Sequence, residues 1–472
     1  MTAIGAPPLI IQGGMGAAVS NWILARATAM RGQLGVVSGT GIDTVLVRRL
    51  QDGDAGGHMR RAMAAFPIPE VGETVLQEHF RPEGRAGAPY KPLPLHQIKV
   101  SRSRQLLTAL ANFVEVRLAK EGHEGRVGIN LLTKIQLPTL ASLYGAMLAG
   151  VDYVLMGAGI PREIPRALDR LAEHAPASIK LDVEGMNGEG TRHAELDPRE
   201  FWAGAPALTR PRFLPIVASN LLATLLARKA SGRVDGFVIE GPTAGGHNAP
   251  PRGESRLNER AEPVYGERDV VDLAKIRDLG LPFWVAGGSG SPTGLAEALA
   301  AGAAGIQVGT LFAFCDESGL KDEYKREVLA AARRGEVDVI TDSRASPTGY
   351  PFKVVRWGED TPREELRERV CDVGYLRTPY ATEDGRVAFR CASEPVDTYV
   401  KKGGALEDTV GRKCLCNALM ANIGRAQVRD GGKQEPPILT AGDDLKGIAA
   451  FLNGRERYSV ADVIAYLLGK KT

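Results

Sequence analysis

Short apolar runs alternate along this chain with stretches whose apolar positions recur at helical spacing, the rhythm of a parallel α/β fold. Pro8–Gly16 (PLIIQGGMG) predicts a first strand and loop, and Ala17–Met30 a helix with Asn21 near its start. Gly32–Gly41 predicts a second strand, and Asp43 is placed to N-cap the helix that follows. Further strands are predicted at Arg126–Leu132, Tyr153–Gly159, Arg212–Ser219, Val234–Glu240, Leu281–Ala286 and Gly305–Gly309. Helices follow them through Ala149, to near Ala175, and over Leu221–Ala230, Thr293–Ala301 and Leu320–Arg334. Eight such βα units favour a closed (β/α)8 TIM barrel over an open doubly wound sheet.

Three segments break the alternation. Residues 52–125 are polar and carry a helix of their own around Arg104–Lys120; residues 180–211 read as a hairpin or flap with Gly-rich turns (EGMNGEG). Residues 357–472 form a C-terminal extension beyond the barrel, which is expected over 1–356 with the two insertions inside it.

Composition narrows the function. The net charge of +3 is small for 472 residues, and no dense Lys/Arg block occurs, which argues against nucleic acid or an anionic membrane as partner. The first residues lack a basic n-region, and no apolar run is long enough to span a bilayer, so a cytoplasmic protein is expected. Five cysteines are too few for a disulfide scaffold in a chain of this size. Four of them, Cys371, Cys391, Cys414 and Cys416, crowd into the extension, while the barrel keeps only Cys315. That density suggests ligands for zinc or an iron–sulfur cluster, set against reduced cysteines buried in a small subdomain.

After the seventh strand the chain reads Ala286-Gly287-Gly288-Ser289-Gly290, and after the eighth Gln307-Val308-Gly309-Thr310. In barrels these two loops commonly cradle a phosphate, with glycine admitting close backbone approach and Ser289 and Thr310 adding hydroxyl donors. Tight turns needing positive φ are the structural alternative. Neither a P-loop nor a dinucleotide GxGxxG is present, so a mononucleotide-like cofactor across the barrel mouth fits better. After strand six comes Glu240-Gly241-Pro242-Thr243-Ala244-Gly245-Gly246-His247-Asn248. Its glycines would let a flat ring lie close to the chain, and His247 at the rim is the candidate proton carrier. His58, His96, His123, His174 and His193 fall in insertions or on expected helix surfaces and are read as structural.

The EGPTAGGH run, with VAGGSG and QVGT behind it and QGGMG in front, resembles the nitronate monooxygenase (2-nitropropane dioxygenase) family. FMN-dependent enoyl-acyl carrier protein reductases and trans-acting enoyl reductases are related to that family. The resemblance implies an FMN-binding TIM barrel. It implies that Gly13, Gly14 and Met15 line the flavin, that Asn130 meets its polar edge, and that Gly287, Gly288, Ser289, Gly309 and Thr310 hold its phosphate. Gly245 and Gly246 precede His247, which matches the family's catalytic histidine. Ser346-Pro347-Thr348-Gly349 resembles a T-G segment that follows the barrel in nitronate monooxygenases. The long first insertion and the extension depart from the shorter members.

Two activities follow from one histidine above a flavin. One is oxidation of alkyl nitronates with O₂. The other is FMN- and NAD(P)H-dependent reduction of an enoyl thioester, with an acyl carrier protein as a conceivable partner. A flavin-binding scaffold without turnover is the third reading.

Overall fold

The computed structural model describes residues 6–186, 191–254, 256–358 and 367–470. The first five residues and most of the Gly-rich turn in the second insertion, 187–190, lie outside the described residues, as does the start of the extension, 359–366.

Eight parallel strands form one sheet: β1 (Ile10–Gln12), β2 (Gly35–Ser38), β3 (Val127–Leu132), β4 (Tyr153–Gly157), β5 (Arg212–Val217), β6 (Phe237–Glu240), β7 (Phe283–Ala286) and β8 (Gly305–Val308). Their order is β1-β8-β7-β6-β5-β4-β3-β2. The two ends of that series meet, because Ile11 bridges Leu34 in parallel. Across the seam the Gln12 N–H donates to the Leu34 carbonyl at 3.0 Å and the Leu34 N–H to the Ile10 carbonyl at 3.1 Å. The sheet is therefore a closed (β/α)8 barrel with no free edge, as the eight apolar runs predict. Buried Gln12 reinforces the seam, its Oε1 accepting from the Val36 N–H at 2.9 Å and its Nε2 donating to Ser20 Oγ at 2.9 Å.

Alternation along the strands produces two cores. Ile11, Val36, Tyr153, Leu155, Leu214, Val238, Trp284 and Ala286 fill the barrel interior. A larger apolar layer lies between strands and helices. Helix starts follow their capping residues: Asn21, Ser219 and Ser291 accept from the N–H groups of Leu24, Leu222 and Gly294. The helix expected inside the first insertion spans Arg102–Ala119 and packs against Thr139–Leu148. Gly145 admits it, since a Cβ there would sit 1.9 Å from the Ala109 carbonyl oxygen. The second insertion holds an antiparallel pair, Ala177–Lys180 with His193–Leu196. No helix among the described residues is long and apolar enough to cross a membrane.

Asp43 does not N-cap its helix. Gly41 occupies that position with φ 63°, and Asp43 lies within the helix's first turn, buried. Its carboxylate meets Arg104 at 2.9 Å, His96 at 3.4 Å, Thr108 Oγ1 at 3.2 Å and the Tyr375 hydroxyl. Cations and donors from the first insertion and from the C-terminal extension outcompete a local cap. His96 is thus a buried partner of Asp43, and His174, also buried, faces the Tyr144 hydroxyl at 3.1 Å; neither lies on a surface.

Burial alone would raise the Asp43 carboxyl, but the Arg104 charge, with His96 and Tyr375, holds it far below the usual carboxylate range. A lowered folded value contributes stability that is complete above the ordinary carboxylate pKa and is lost as pH falls. Asp43→Asn strips the charge from buried Arg104 and is expected to cost about 3–5 kcal/mol at neutral pH. In chemical denaturation at pH 7 and pH 4, the gap between wild type and variant should narrow at the lower pH. An equal gap at both would show that the charge contributes nothing.

Candidate functional site

The C-terminal ends of all eight strands open into one cavity of about 450 Å³, the face on which barrels place their chemistry. It gathers Gly13, Gly14, Met15, Asn130, Gly245, Gly246, His247, Gly287, Gly288, Ser289, Gly309 and Thr310. These residues come from widely separated parts of the chain and share no other location. The extension supplies a second part of the wall through Tyr375, Leu376, Leu415, Cys416, Met420 and Leu439–Gly442, of which the sequence marks only Cys416, and that as a metal ligand.

On the glycine side, Gly287 and Gly288 have φ of 87° and 74°, turning successive N–H groups toward one point. The amides of Gly288, Ser289 and Gly290 make no hydrogen bond within the described chain. Gly14 lies against Asn130: a Cβ there would fall 2.1 Å from the Asn130 Cβ, and Asn130 Nδ2 donates to the Gly14 carbonyl at 3.3 Å. Thr310 departs from its expected role as a hydroxyl donor to a ligand. Its hydroxyl donates to Asp444 Oδ1 at 2.6 Å and accepts from the Gly442 N–H at 3.0 Å. The extension has taken that hydroxyl.

The histidine loop is tied down on two sides. The Lys353 N–H donates to the Gly246 carbonyl and the Asn248 N–H to the Pro351 carbonyl, both at 2.9 Å. The Gly246 N–H donates to Thr440 Oγ1 at 2.7 Å, and the Asp443 N–H to the Thr243 carbonyl at 2.9 Å. Gly245 lines the cavity and also admits the extension: a Cβ would meet the Ala441 carbonyl carbon at 2.7 Å and the Gly442 nitrogen at 3.0 Å. His247 Nε2 lies 2.7 Å from Ser346 Oγ, which lies 2.7 Å from Thr348 Oγ1, so the SPTG segment holds the imidazole. The Phe352 ring packs edge-on against it, 4.9 Å between centroids.

Three titratable groups here are shifted toward their uncharged forms. Burial, with the Lys134 ammonium, pushes His247 down to about 3. Burial pushes Lys134 down to about 7; its Nζ is buried without a hydrogen-bond partner, 2.8 Å from the centroid of the Tyr350 ring. Burial raises Glu240, at the end of β6, to about 8. His247 is therefore a neutral imidazole at pH 7, suited to accepting a proton and not to holding a charge. Gln307 is a further residue the sequence does not single out, with Oε1 buried and unpartnered.

The cysteines form no metal centre in this structure. All five are free thiols, and no group of three or more His, Cys, Asp or Glu side chains that could hold a metal ion exists among the described residues. Cys416 instead packs on an apolar cluster with Leu376, Leu415 and Ile438, and burial pushes its thiol up. The zinc or iron–sulfur expectation for Cys371, Cys391, Cys414 and Cys416 is not met.

Gly245→Ala forces its new methyl into the Ala441–Gly442 backbone and is expected to lower stability by about 1–3 kcal/mol. Limited proteolysis should then cut the extension faster than in wild type. Unchanged melting and cleavage would show that this contact does not hold the extension.

Residues 212–352 match the model of the family described as Nitronate monooxygenase. The nitronate monooxygenase of Pseudomonas aeruginosa is 32% identical over 202 residues, 41% of this chain and 49% of that protein. The (3aS,4S,5R,7aS)-5-hydroxy-7a-methyl-1-oxo-octahydro-1H-indene-4-carboxyl-CoA dehydrogenase of Mycobacterium tuberculosis is 32% identical over 142 residues, 30% of this chain and 35% of that protein. Among solved structures, FabK from Thermotoga maritima aligns over 98% of this chain and 92% of its own, with 17% identity and a TM-score of 0.47, a likeness too slight to extend to chemistry. The chain thus spans at most about half the length of these two curated relatives. Its matched segment runs from β5 past β8 and contains His247 and both glycine loops, and over that segment the chain is related to the nitronate monooxygenase family.

Proposed function

We propose that the chain is an FMN-dependent oxidoreductase that oxidises alkyl nitronates with O₂, with His247 in proton transfer. The observation that carries this reading is the convergence on one cavity of a neutral, tethered imidazole and a glycine loop with three unengaged amides. The residues fit the cofactor. The amides of Gly288, Ser289 and Gly290 suit a phosphate, while Asn130 and Gly14 close the cavity near β1. Bound FMN would supply the two-electron acceptor that O₂ then regenerates.

His247 Nε2 is occupied by Ser346, and Nδ1 has no hydrogen-bond partner among the described residues. With its Nε2–H donated to Ser346, the ring offers the Nδ1 lone pair to the proton on the carbon next to the nitro group of a neutral nitroalkane, whose removal leaves the nitronate that is then oxidised. Ser346 passes the polarisation on to Thr348, which steadies the imidazole during that transfer. The substrate is a small molecule on this reading.

A second reading, FMN- and NAD(P)H-dependent reduction of an enoyl thioester, is favoured by the likeness to a carboxyl-CoA dehydrogenase. There the other tautomer of His247, with Nδ1–H free and Nε2 accepting from the Ser346 hydroxyl, would relay a proton to the α-carbon, and a CoA or acyl carrier protein thioester would be the substrate.

The purified protein is expected to be yellow, with about one FMN per chain. A colourless protein that cannot be reconstituted with FMN would overturn the reading. His247→Ala should keep FMN and lose turnover of a neutral nitroalkane by about 10²–10⁴-fold, and the preformed nitronate should restore it. Oxygen consumption with an alkyl nitronate supports the first activity; anaerobic bleaching by NADH or NADPH, followed by reduction of an enoyl thioester, supports the second. Flavin binding with neither reaction leaves the scaffold.

A further inference from the structure

An alkyl nitronate is an anion, and the cavity wall is poor in positive charge. Among the described residues that line it, Arg252 is the one Lys or Arg side chain. Arg252 is exposed, and its guanidinium is already engaged by the Ala218 and Arg268 carbonyls. His247 is a neutral imidazole, and Glu240 and Asp444 are acids. A cation for the substrate has to come from behind the wall.

Lys134 stands there. It follows β3 in the chain, between Leu132 and Ile135, both of which line the cavity. Its Nζ is buried with no hydrogen bond or ion pair among the described residues, and it lies 2.8 Å from the centroid of the Tyr350 ring. That ring lines the cavity. Tyr350 is flanked by Thr348, whose Oγ1 is 3.5 Å from His247 Nε2, and by Phe352, which packs against the imidazole. The amine is thus close to the proton carrier, and its charge adds to burial in depressing His247.

A buried ammonium beside an aromatic face alone is poorly compensated. The ring offers only its quadrupole, a weaker partner than a full negative charge at the same distance. Burial pushes Lys134 down to about 7, and an anion next to the amine favours its charged form. Little fixes the ring in place. The Tyr350 hydroxyl makes no hydrogen bond among the described residues, and Gly349 before it has φ 78° with nothing within 4 Å of where its Cβ would be. The ring can therefore move aside without breaking a side-chain hydrogen bond. Around it, Leu132 and Ile135 pack with Leu376 and Leu415 of the extension, an apolar wall suited to alkyl groups.

We propose that Lys134 is the anion anchor of this cavity: the oxygens of a nitronate displace the Tyr350 ring from the ammonium, while the alkyl group lies along Leu132, Ile135, Leu376 and Leu415. This inference rests on the nitronate reading above. It gives Lys134 the binding of the substrate and leaves proton transfer to His247. The same ammonium would stabilise the charge that develops on the nitro oxygens when His247 removes the proton.

The probe is nitrate, a planar oxyanion with delocalised charge, titrated calorimetrically into the full-length protein at pH 7, with sodium chloride holding the ionic strength constant. Wild type should bind it saturably. Lys134→Met replaces an unpaired buried amine by an apolar chain and should melt no lower than wild type, yet bind nitrate about tenfold or more weakly. Tyr350→Leu removes the competing ring and should bind nitrate at least as tightly as wild type. With an alkyl nitronate as substrate, Lys134→Met should raise KM by about tenfold or more, with a smaller change in kcat. Nitrate that binds wild type and Lys134→Met alike, or binds neither, overturns this inference and leaves the FMN and His247 reading standing. Weaker binding in Tyr350→Leu overturns the displacement of the ring. Nitrate binding that depends on Lys134, in a chain that oxidises no nitronate, supports the anchor and overturns the nitronate reading.

Discussion

The backbone of residues 440–443 lying against the histidine loop is the contact on which the site depends. Within the barrel, that loop has little to fix it: the Gly241 N–H donates to the Ala286 carbonyl at 3.1 Å, the Ala244 N–H to the Gly241 carbonyl at 3.1 Å, and Asn248 Nδ2 to the Ala244 carbonyl at 3.0 Å. Beyond Ala244 the chain leaves the sheet. What holds it then comes from residues after the last barrel strand, through Thr440, Asp443, Pro351 and Lys353. Lys353 joins the two sides, since its buried ammonium pairs with Asp443 at 2.6 Å. His247 is thereby placed by segments that are remote in sequence, and Gly245 is the position where a side chain would prise them apart.

That enclosure sets the electrostatics. A barrel interior filled by Val238, Trp284 and Leu214 offers no solvation to charges above it. Glu240, His247 and Lys134 respond alike, each shifted toward its uncharged form with burial as the leading cause. Asp43 responds oppositely although it too is buried, because Arg104 and His96 compensate its charge. The distinction separates a structural carboxylate, paired and ionised, from groups that have no ion-pair partner among the described residues. Unpaired groups in an enclosed cavity are the ones a ligand can engage.

The strands and the glycine loops were legible because they depend on local pattern. Apolar runs of strand length located all eight strands, and the order of the loops on a closed barrel then brought Gly13, Asn130, His247, Gly288 and Gly309 to one face. Two misplacements share a cause. Asp43 looked like a cap and Thr310 like a ligand donor, and each reading considered only its neighbours in sequence. Their partners include Tyr375 and Asp444, both in the extension, and no local spacing signals a contact across so many residues. Crowded cysteines misled in the same way, since proximity in sequence did not become a metal-binding group in space. Ser346 was noted for its motif, but its bond to His247 required the fold. Glu240 and Gln307 carried a usable signal: a polar residue at the end of an otherwise apolar strand, at the inward phase of the alternation.

Asp444 raises a last question, because an acid beside an expected phosphate site is electrostatically unfavourable. Its Oδ2 lies 3.1 Å from where a Gly290 Cβ would be, so it borders the loop directly. Burial raises this carboxyl, while the Thr310 hydroxyl and the nearby Lys353 charge oppose that rise. By engaging Thr310, Asp444 takes up one of the hydroxyls beside the glycine loops, Ser289 being another. The neighbouring backbone amides carry a partial positive charge that does not titrate. The extension therefore shapes both ends of the cavity: it tethers the histidine loop at one end, and at the other it engages the Thr310 hydroxyl beside the glycine loop.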